Sequence, residues 1–166
     1  PMSQTLSQDF SQGKSTSPST SSGPTQSGVH VARRFTQKGK DPFDDVRWEK
    51  RRTVISNPDG STVFAMEGVE VPSDWSQLAT DIVVSKYFRK AGVPGKPGHE
   101  TSVRQVVRRI TRTIRATGEQ QGGYFATPED AEAFEAELSY MLVHQIGAFN
   151  SPVWFNCGLF HEYGIG

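Results

Sequence analysis

Apolar side chains recur at helical spacing in three separate stretches between residues 73 and 148. The first stretch begins at Ser73, a predicted N-cap, and it ends at Gly92 and Pro94 because neither residue favours a continuing helix. Its apolar face comprises Trp75, Leu78, Ala79, Ile82, Val83 and Tyr87. This periodicity predicts an amphipathic helix that packs against the rest of the domain.

A second stripe of valines and isoleucines predicts a helix that starts near Thr101 or Ser102 and ends at Gly118. Its apolar members are Val103, Val106, Val107, Ile110 and Ile114. The other face carries five arginines within twelve residues, namely Arg104, Arg108, Arg109, Arg112 and Arg115. Such a face could bind RNA or another polyanion, or it could be a solvated face whose arginines pair with carboxylates of a neighbouring helix. The second interpretation is favoured because no aromatic residues interleave with the arginines.

The third stretch carries clear helix-start signals. Thr127 is the predicted N-cap, Pro128 takes the first helical position, and acidic residues follow in the first turn. The apolar stripe comprises Ala131, Phe134, Leu138, Met141, Leu142 and Ile146. Three glutamates lie off this stripe and are candidates for salt bridges to the arginines of the second helix: Glu132, Glu135 and Glu137.

Ahead of the helices, two runs of β-prone residues flank a turn sequence. Residues 52–56 and 61–65 surround Asn57-Pro58-Asp59-Gly60, in which proline presets the φ angle of the turn and glycine accepts a positive φ. This arrangement predicts a β-hairpin.

The N-terminal region has a different composition. Residues 1–28 contain nine serines and two charged residues, Asp9 and Lys14, so too little apolar surface is available to stabilise a fold. We expect disorder to extend to about residue 40. The segment has neither the arginines of a transit peptide nor the apolar core of a signal peptide, and no run of the chain approaches the ~20 apolar residues of a membrane span.

Charge and cysteine content exclude several classes of function. Lysine plus arginine and aspartate plus glutamate both number 18, which gives no global case for binding nucleic acid or membranes. The single cysteine excludes an internal disulfide and a metal site built on several cysteines, and it fits a reducing cytoplasm. The four histidines show no ligand spacing, so no metal site is predicted.

Residues 149–158, Phe-Asn-Ser-Pro-Val-Trp-Phe-Asn-Cys-Gly, are typical of either a buried helix-to-strand connection or a substrate-lining segment. They resemble the Ser-Pro-x-x-x-Asn-x-Gly run at the entry to the catalytic barrel of ribonucleotide reductases. The form Phe-Asn-Ser-Pro-Val-Trp-Phe-Asn is similar to the adenosylcobalamin-dependent (class II) ribonucleoside-diphosphate reductases. Residues 71–82, 86–94 and 100–103 resemble the N-terminal domain of the same family, so the resemblance runs in unbroken order over roughly residues 45–166.

The periodicity and the resemblance together imply an α+β fold, mainly helical. A disordered N-terminal tail, a β-hairpin and about three packed helices would lead into the start of a catalytic α/β barrel. The expected domains are a disordered serine-rich extension and approach segment at residues 1–45, an N-terminal helical domain with the hairpin at 46–148, and the start of a truncated barrel at 149–166.

The resemblance implies that the full protein converts ribonucleotides to deoxyribonucleotides for DNA synthesis. In this family a thiyl radical abstracts the 3′-hydrogen, a cysteine pair supplies two electrons, and adenosylcobalamin, bound mainly downstream of this chain, generates the radical. The implied partners are a ribonucleotide substrate, a nucleotide effector and a thioredoxin-like reductant; a homodimer is an open option. At least three cysteines are needed, so this chain would be the N-terminal part of a longer cytoplasmic enzyme.

Two residues of the last stretch are candidate substrate-binding residues, and none is predicted to be catalytic. Ser151 matches the serine of the family's Ser-Pro run, which lines the nucleotide site, and Asn156 would support the same segment through its amide. Cys157 lies before the family's first redox cysteine and is predicted to be a small structural thiol. The competing interpretations of the whole chain are a polyanion-binding helical module and a purely structural or dimer-forming domain.

Overall fold

The computed structural model describes residues 28–166, which form a β-hairpin followed by packed helices. The elements are β1 (Trp48–Ser56), β2 (Thr62–Pro72), α1 (Gln77–Ile82), α2 (Val103–Gln120), α3 (Pro128–Val143), α4 (Ser151–Asn156) and α5 (Leu159–Tyr163), and a π-helical turn, Val83–Tyr87, continues α1. The predicted hairpin and the mainly helical α+β class are therefore confirmed. The barrel start at 149–166 stays a prediction, and the disorder predicted for residues 1–27 lies outside the described residues.

The hairpin extends beyond the two runs that predicted it. Strands β1 and β2 are antiparallel, with Trp48 opposite Pro72 at one end and Ser56 opposite Thr62 at the turn. The Gly60 amide donates to the Asn57 carbonyl oxygen at 2.9 Å, and Gly60 adopts a φ of +86°, as the turn sequence predicted. Within β2 the end nearest the helices is buried, through Val69 and Val71, and Thr53 is buried on β1, whereas residues 56–63 around the turn are exposed.

Helix α2 is the centre of the hydrophobic core. Ser102 caps it, and the Gln105 Oε1 accepts from the Ser102 amide at 3.0 Å in a capping box. Its predicted stripe is buried from Val103 to Ile110 and packs against β2, the π-helical turn and the end of α3. The other core residues are Phe43, Val69, Val71, Trp75, Val83, Val84, Phe88, Leu142 and Val143.

This burial leads to a stability prediction for the two faces of α2. Ile110 is fully buried, so we expect Ile110→Ala to cost roughly 2–4 kcal/mol of unfolding free energy. Arg108 is one-third exposed and pairs with Asp41 at the surface, so we expect Arg108→Ala to cost under about 1 kcal/mol. Urea denaturation of both variants measures the difference, and near-equal losses would show that the faces are assigned wrongly.

The first helix differs from its prediction. Ser76, not Ser73, is the N-cap, and its hydroxyl oxygen accepts from the Ala79 amide. Leu78, predicted to be buried, is 70% exposed, whereas Val84 is fully buried. The helix widens into the π-helical turn after Ile82, which changes the face that later residues present. The predicted apolar stripe is therefore only partly confirmed, since Trp75 and Val83 are buried whereas Leu78 and Ile82 are exposed.

Residues 28–45 are packed against α3, contrary to the expectation of disorder up to about residue 40, whereas the domain boundary expected after residue 45 stays a prediction. Phe43 is only 2% exposed and belongs to the core. The buried Glu137 carboxylate accepts from the backbone amides of Arg34 and Phe35, with a distance of 3.1 Å for Phe35. Glu137 therefore anchors this segment. The sequence had instead suggested that Glu137 pairs with the arginines of α2.

Helix α3 confirms its predicted start, with the Thr127 hydroxyl oxygen accepting from the Asp130 amide and Pro128 in the first turn. Its predicted stripe is buried at Ala131 and Leu142, but Ile146 lies beyond the helix end and is exposed. Among residues 28–166, no helix is both long and apolar enough to cross a membrane.

Candidate functional site

The arginines of α2 are engaged with carboxylates. Four of them form ion pairs with partly exposed carboxylates on the hairpin, the N-terminal segment, the neighbouring helices and α2 itself. These pairs are Arg104 with Glu70, Arg108 with Asp41, Arg112 with Glu135 and Glu162, and Arg115 with Glu119 and Glu135. A polyanion would have to displace these partners, so the pairing favours a structural role for this face over RNA binding.

The fifth arginine is an exception to the prediction that this face is solvated. Arg109 and Glu100 form an ion pair in which both side chains are 0% exposed. The Arg109 Nε donates to Glu100 Oε2 at 3.0 Å and to Oε1 at 3.3 Å. A buried pair of this kind is tolerated only when the remaining donors and acceptors are satisfied as well.

The remaining donors of Arg109 satisfy backbone carbonyls from two other elements. Nη1 donates to the Cys157 oxygen at 2.8 Å, and Nη2 donates to the Trp154 oxygen at 2.7 Å and to the Tyr87 oxygen at 3.0 Å. One guanidinium thus joins α2 to the end of the π-helical turn and to the C-terminal end of α4. We call the Arg109–Glu100 pair and these bonds the buried clamp.

Glu100 also has two further partners. Its Oε1 accepts from the Arg89 amide at 2.8 Å, and its Oε2 accepts from the Tyr163 hydroxyl at 2.8 Å. Burial, reinforced by the negative charge of Glu100, raises the pKa of Tyr163 well above its usual value. The phenol therefore stays protonated and remains a donor, which ties α5 to the buried clamp.

Gly158 allows the chain to pass close to α2 between α4 and α5. Its φ is +85°, and a Cβ built there would lie 2.0 Å from the Arg109 carbonyl oxygen. Only glycine fits both the left-handed conformation and this close approach. The final position of the Ser-Pro-x-x-x-Asn-x-Gly run therefore requires glycine for a steric reason. This close approach holds the end of α4 against Arg109.

Ser151 begins α4 and is exposed, with Pro152 next to it in the first turn. Its Oγ lies 3.1 Å from the Tyr87 hydroxyl oxygen at the end of the π-helical turn. The Tyr87 ring stacks on Trp154, with a centroid distance of 5.8 Å, and contacts Phe155 at 5.2 Å. Two hydroxyl groups thus meet at the surface, on elements that the buried clamp holds together.

Asn156, the second candidate, is exposed at the end of α4 and is not adjacent to the Ser151–Tyr87 pair along the helix. It lines an open pocket of about 400 Å³ together with Phe155 and residues 86–91. Lys86, Arg89 and Lys90 give this pocket a basic wall. Lys90 is held by the Phe88 carbonyl oxygen at 2.8 Å, and burial lowers its pKa.

Cys157 follows Asn156 and is partly buried against the core as a free thiol. Burial raises the pKa of this thiol, only partly opposed by the charge of Arg109. The thiolate, which is the reactive form, is therefore disfavoured. Cys157 thus contributes its backbone carbonyl oxygen to the buried clamp, while its sulfur only packs against the core.

Sequence reasoning missed Arg109, Glu100 and Tyr87 as parts of one arrangement. One signal was present for Arg109, which lies three residues after the buried Val106 and so borders the apolar stripe of α2. Nothing comparable marked Glu100, because its partners lie up to 63 residues away along the chain.

These features define a helical domain that displays a rigid Ser-Pro segment. A family model described as class II vitamin B12-dependent ribonucleotide reductase matches residues 49–145, which is more than half of the chain. A vitamin B12-dependent ribonucleotide reductase of Streptomyces coelicolor is 49% identical over 150 residues, covering 84% of this chain and 15% of that protein. Proteins of the same name from Streptomyces clavuligerus and Rhodopirellula baltica are 51% and 48% identical over 79% and 76% of this chain.

The chain therefore belongs to the class II vitamin B12-dependent ribonucleotide reductase family. It spans only 12–15% of the length of the three relatives just described.

Proposed function

We propose that this chain is the N-terminal part of an enzyme that reduces ribonucleotides to deoxyribonucleotides by thiyl-radical chemistry. The family supports this proposal, and adenosylcobalamin is the cofactor that the family implies. The observation that carries the assignment of a site is the Ser151 hydroxyl, exposed at the start of α4 while the other end of α4 is fixed by the buried clamp.

In this proposal the chain supplies a substrate-facing surface and no redox group. The 166 residues contain one cysteine, and its pKa is raised, so the reducing thiols would come from other parts of the enzyme. Ser151 would donate to, or accept from, an oxygen of the ribonucleotide, and Asn156 would contact it at the edge of the neighbouring pocket.

No described residue is assigned to the cofactor. When bound, adenosylcobalamin supplies the radical by homolysis of its cobalt–carbon bond. The pockets that border α4 are open and have volumes of about 290 and 400 Å³, which do not fit so large a group. We propose that it binds elsewhere in the full protein and that this chain shapes the substrate side.

We further propose ribonucleoside diphosphates as substrates, a nucleotide effector, a thioredoxin-like protein as reductant and a cytoplasmic enzyme that can form a homodimer. Turnover of CDP and CTP by the full-length enzyme with thioredoxin and adenosylcobalamin tests the substrate class. Faster reduction of CTP at equal subsaturating concentration would contradict the diphosphate assignment.

Ser151→Ala in the full-length enzyme is expected to lower kcat/KM by about tenfold, because one hydrogen bond worth ~1.4 kcal/mol in the transition state is lost. Cys157→Ala, a few residues further along, is the matched control. It removes only a packing atom, so multiple-turnover reduction should remain largely intact. An unchanged kcat/KM in Ser151→Ala would reduce the serine to a turn residue, and loss of turnover in a folded Cys157→Ala enzyme would give the thiol a redox role.

A further inference from the structure

We infer that Tyr87 is a positioning residue for Ser151, whose phenol donates to the Ser151 Oγ and leaves the serine hydrogen free for an oxygen of the ribonucleotide. The inference rests on the proposed function, in which Ser151 contacts the substrate. It assigns a role to a residue outside the Ser-Pro run, on an element 64 residues earlier in the chain.

The direction of the hydrogen bond follows from the chemistry of the two hydroxyl groups. Each has one hydrogen and can accept as well as donate, and their oxygens are 3.1 Å apart. A phenol is far more acidic than an aliphatic alcohol and is therefore the stronger hydrogen-bond donor. When Tyr87 donates, the Ser151 hydrogen is directed away from Tyr87, and because Ser151 is exposed a substrate oxygen could accept it.

Tyr87 is itself held in place through both its side chain and its backbone. Its ring lies against Trp154 and Phe155, which belong to the same short helix as Ser151. The backbone carbonyl oxygen of Tyr87 accepts from Nη2 of the fully buried Arg109 at 3.0 Å. A donor fixed by stacking and by a buried arginine orients its acceptor at little further entropic cost, which is how supporting groups increase the precision of a binding site.

The π-helical turn contributes to this position. The Phe88 amide donates to the Val83 carbonyl oxygen at 2.9 Å, five residues back, so the turn contains one residue more than an α-helical turn. One extra residue rotates the following side chains by about 100° around the axis. Turns of this kind are frequent at functional sites, and here the turn ends at Tyr87.

A double-mutant cycle in the full-length enzyme tests the inference. Tyr87→Phe removes the phenol oxygen and keeps the stacked ring. We expect it to lower kcat/KM for the ribonucleotide by about two- to tenfold, the range for one hydrogen bond. In the Ser151→Ala background the same change should have no further effect, because its acceptor is absent. A purely structural role would lower kcat/KM equally in both backgrounds.

Tyr140→Phe is the matched control, since it removes a hydroxyl from a ring stacked on Phe35 rather than on α4. It should leave kcat/KM unchanged in both backgrounds. If Ser151→Ala lowers kcat/KM but Tyr87→Phe does not, or if the two losses multiply, the inference is overturned while the role of Ser151 stands. If Ser151→Ala has no effect, the proposed role of the serine fails and this inference fails with it.

Discussion

Gly158→Ala is expected to produce the largest loss of stability of any single methyl addition in this region, at least about 3 kcal/mol of unfolding free energy. Two costs combine. The φ of +85° disfavours any residue with a Cβ by about 1–2 kcal/mol, and the new methyl would lie 2.0 Å from the Arg109 carbonyl oxygen. Because that oxygen belongs to the backbone of α2, the clash cannot be relieved by a change of side-chain rotamer. Urea denaturation of the purified chain measures the loss.

Gly60→Ala separates the two costs. Gly60 has nearly the same φ, +86°, but a Cβ there would meet nothing within 4 Å. This control should therefore show only the conformational cost of about 1–2 kcal/mol. Equal losses in the two variants would mean that α4 and α5 can move away from α2 freely, which would contradict the close contact at Gly158.

Arg109→Met is the second large effect that we expect, at about 3–5 kcal/mol of unfolding free energy. Methionine preserves much of the side-chain volume but leaves the Glu100 carboxylate buried without a cation, which is the costly way to break a buried pair. The carbonyl oxygens of Tyr87, Trp154 and Cys157 also lose their donor. Thermal or urea denaturation of the chain measures the effect.

Two companion variants sharpen this result. Arg112→Met removes a neighbouring arginine whose side chain is 45% exposed and pairs at the surface, so it should cost under about 1 kcal/mol. Adding Glu100→Gln to Arg109→Met should recover part of the loss, because the buried group is then neutral. If Arg109→Met and Arg112→Met were equally mild, the buried clamp would have no special weight in the stability of the domain.

The elements that the sequence predicted well are those with local signals. The turn at residues 57–60 specifies the hairpin by its own residues, and Thr127 and Pro128 mark the start of α3 in the same way. The buried stripe of α2 follows from its 3.6-residue period. Each of these features depends on neighbours within a few positions along the chain.

The features that escaped prediction depend on distant partners. Arginine is a residue type usually found at the surface. Arg109 can be buried only because the Glu100 carboxylate and the Trp154 and Cys157 carbonyl oxygens accept its hydrogen bonds. Residues 28–45 lack a strong pattern, yet Glu137 anchors their amides across about a hundred positions. Ser151 was identified as a candidate from its motif, and its role stays a prediction, whereas its neighbour Tyr87 could be identified only from the fold.

The buried clamp also bears on how this region opens. Its hydrogen bonds join the end of the π-helical turn, the loop before α2, and both short C-terminal helices. Helices of five or six residues have almost no stability of their own. They persist here because releasing α4 would remove hydrogen-bond acceptors from the buried Arg109, and releasing α5 would remove the Tyr163 donor from the buried Glu100. We therefore expect residues 149–166 to open together with α2, so that the backbone amides around Ser151 exchange with solvent as slowly as those of the core.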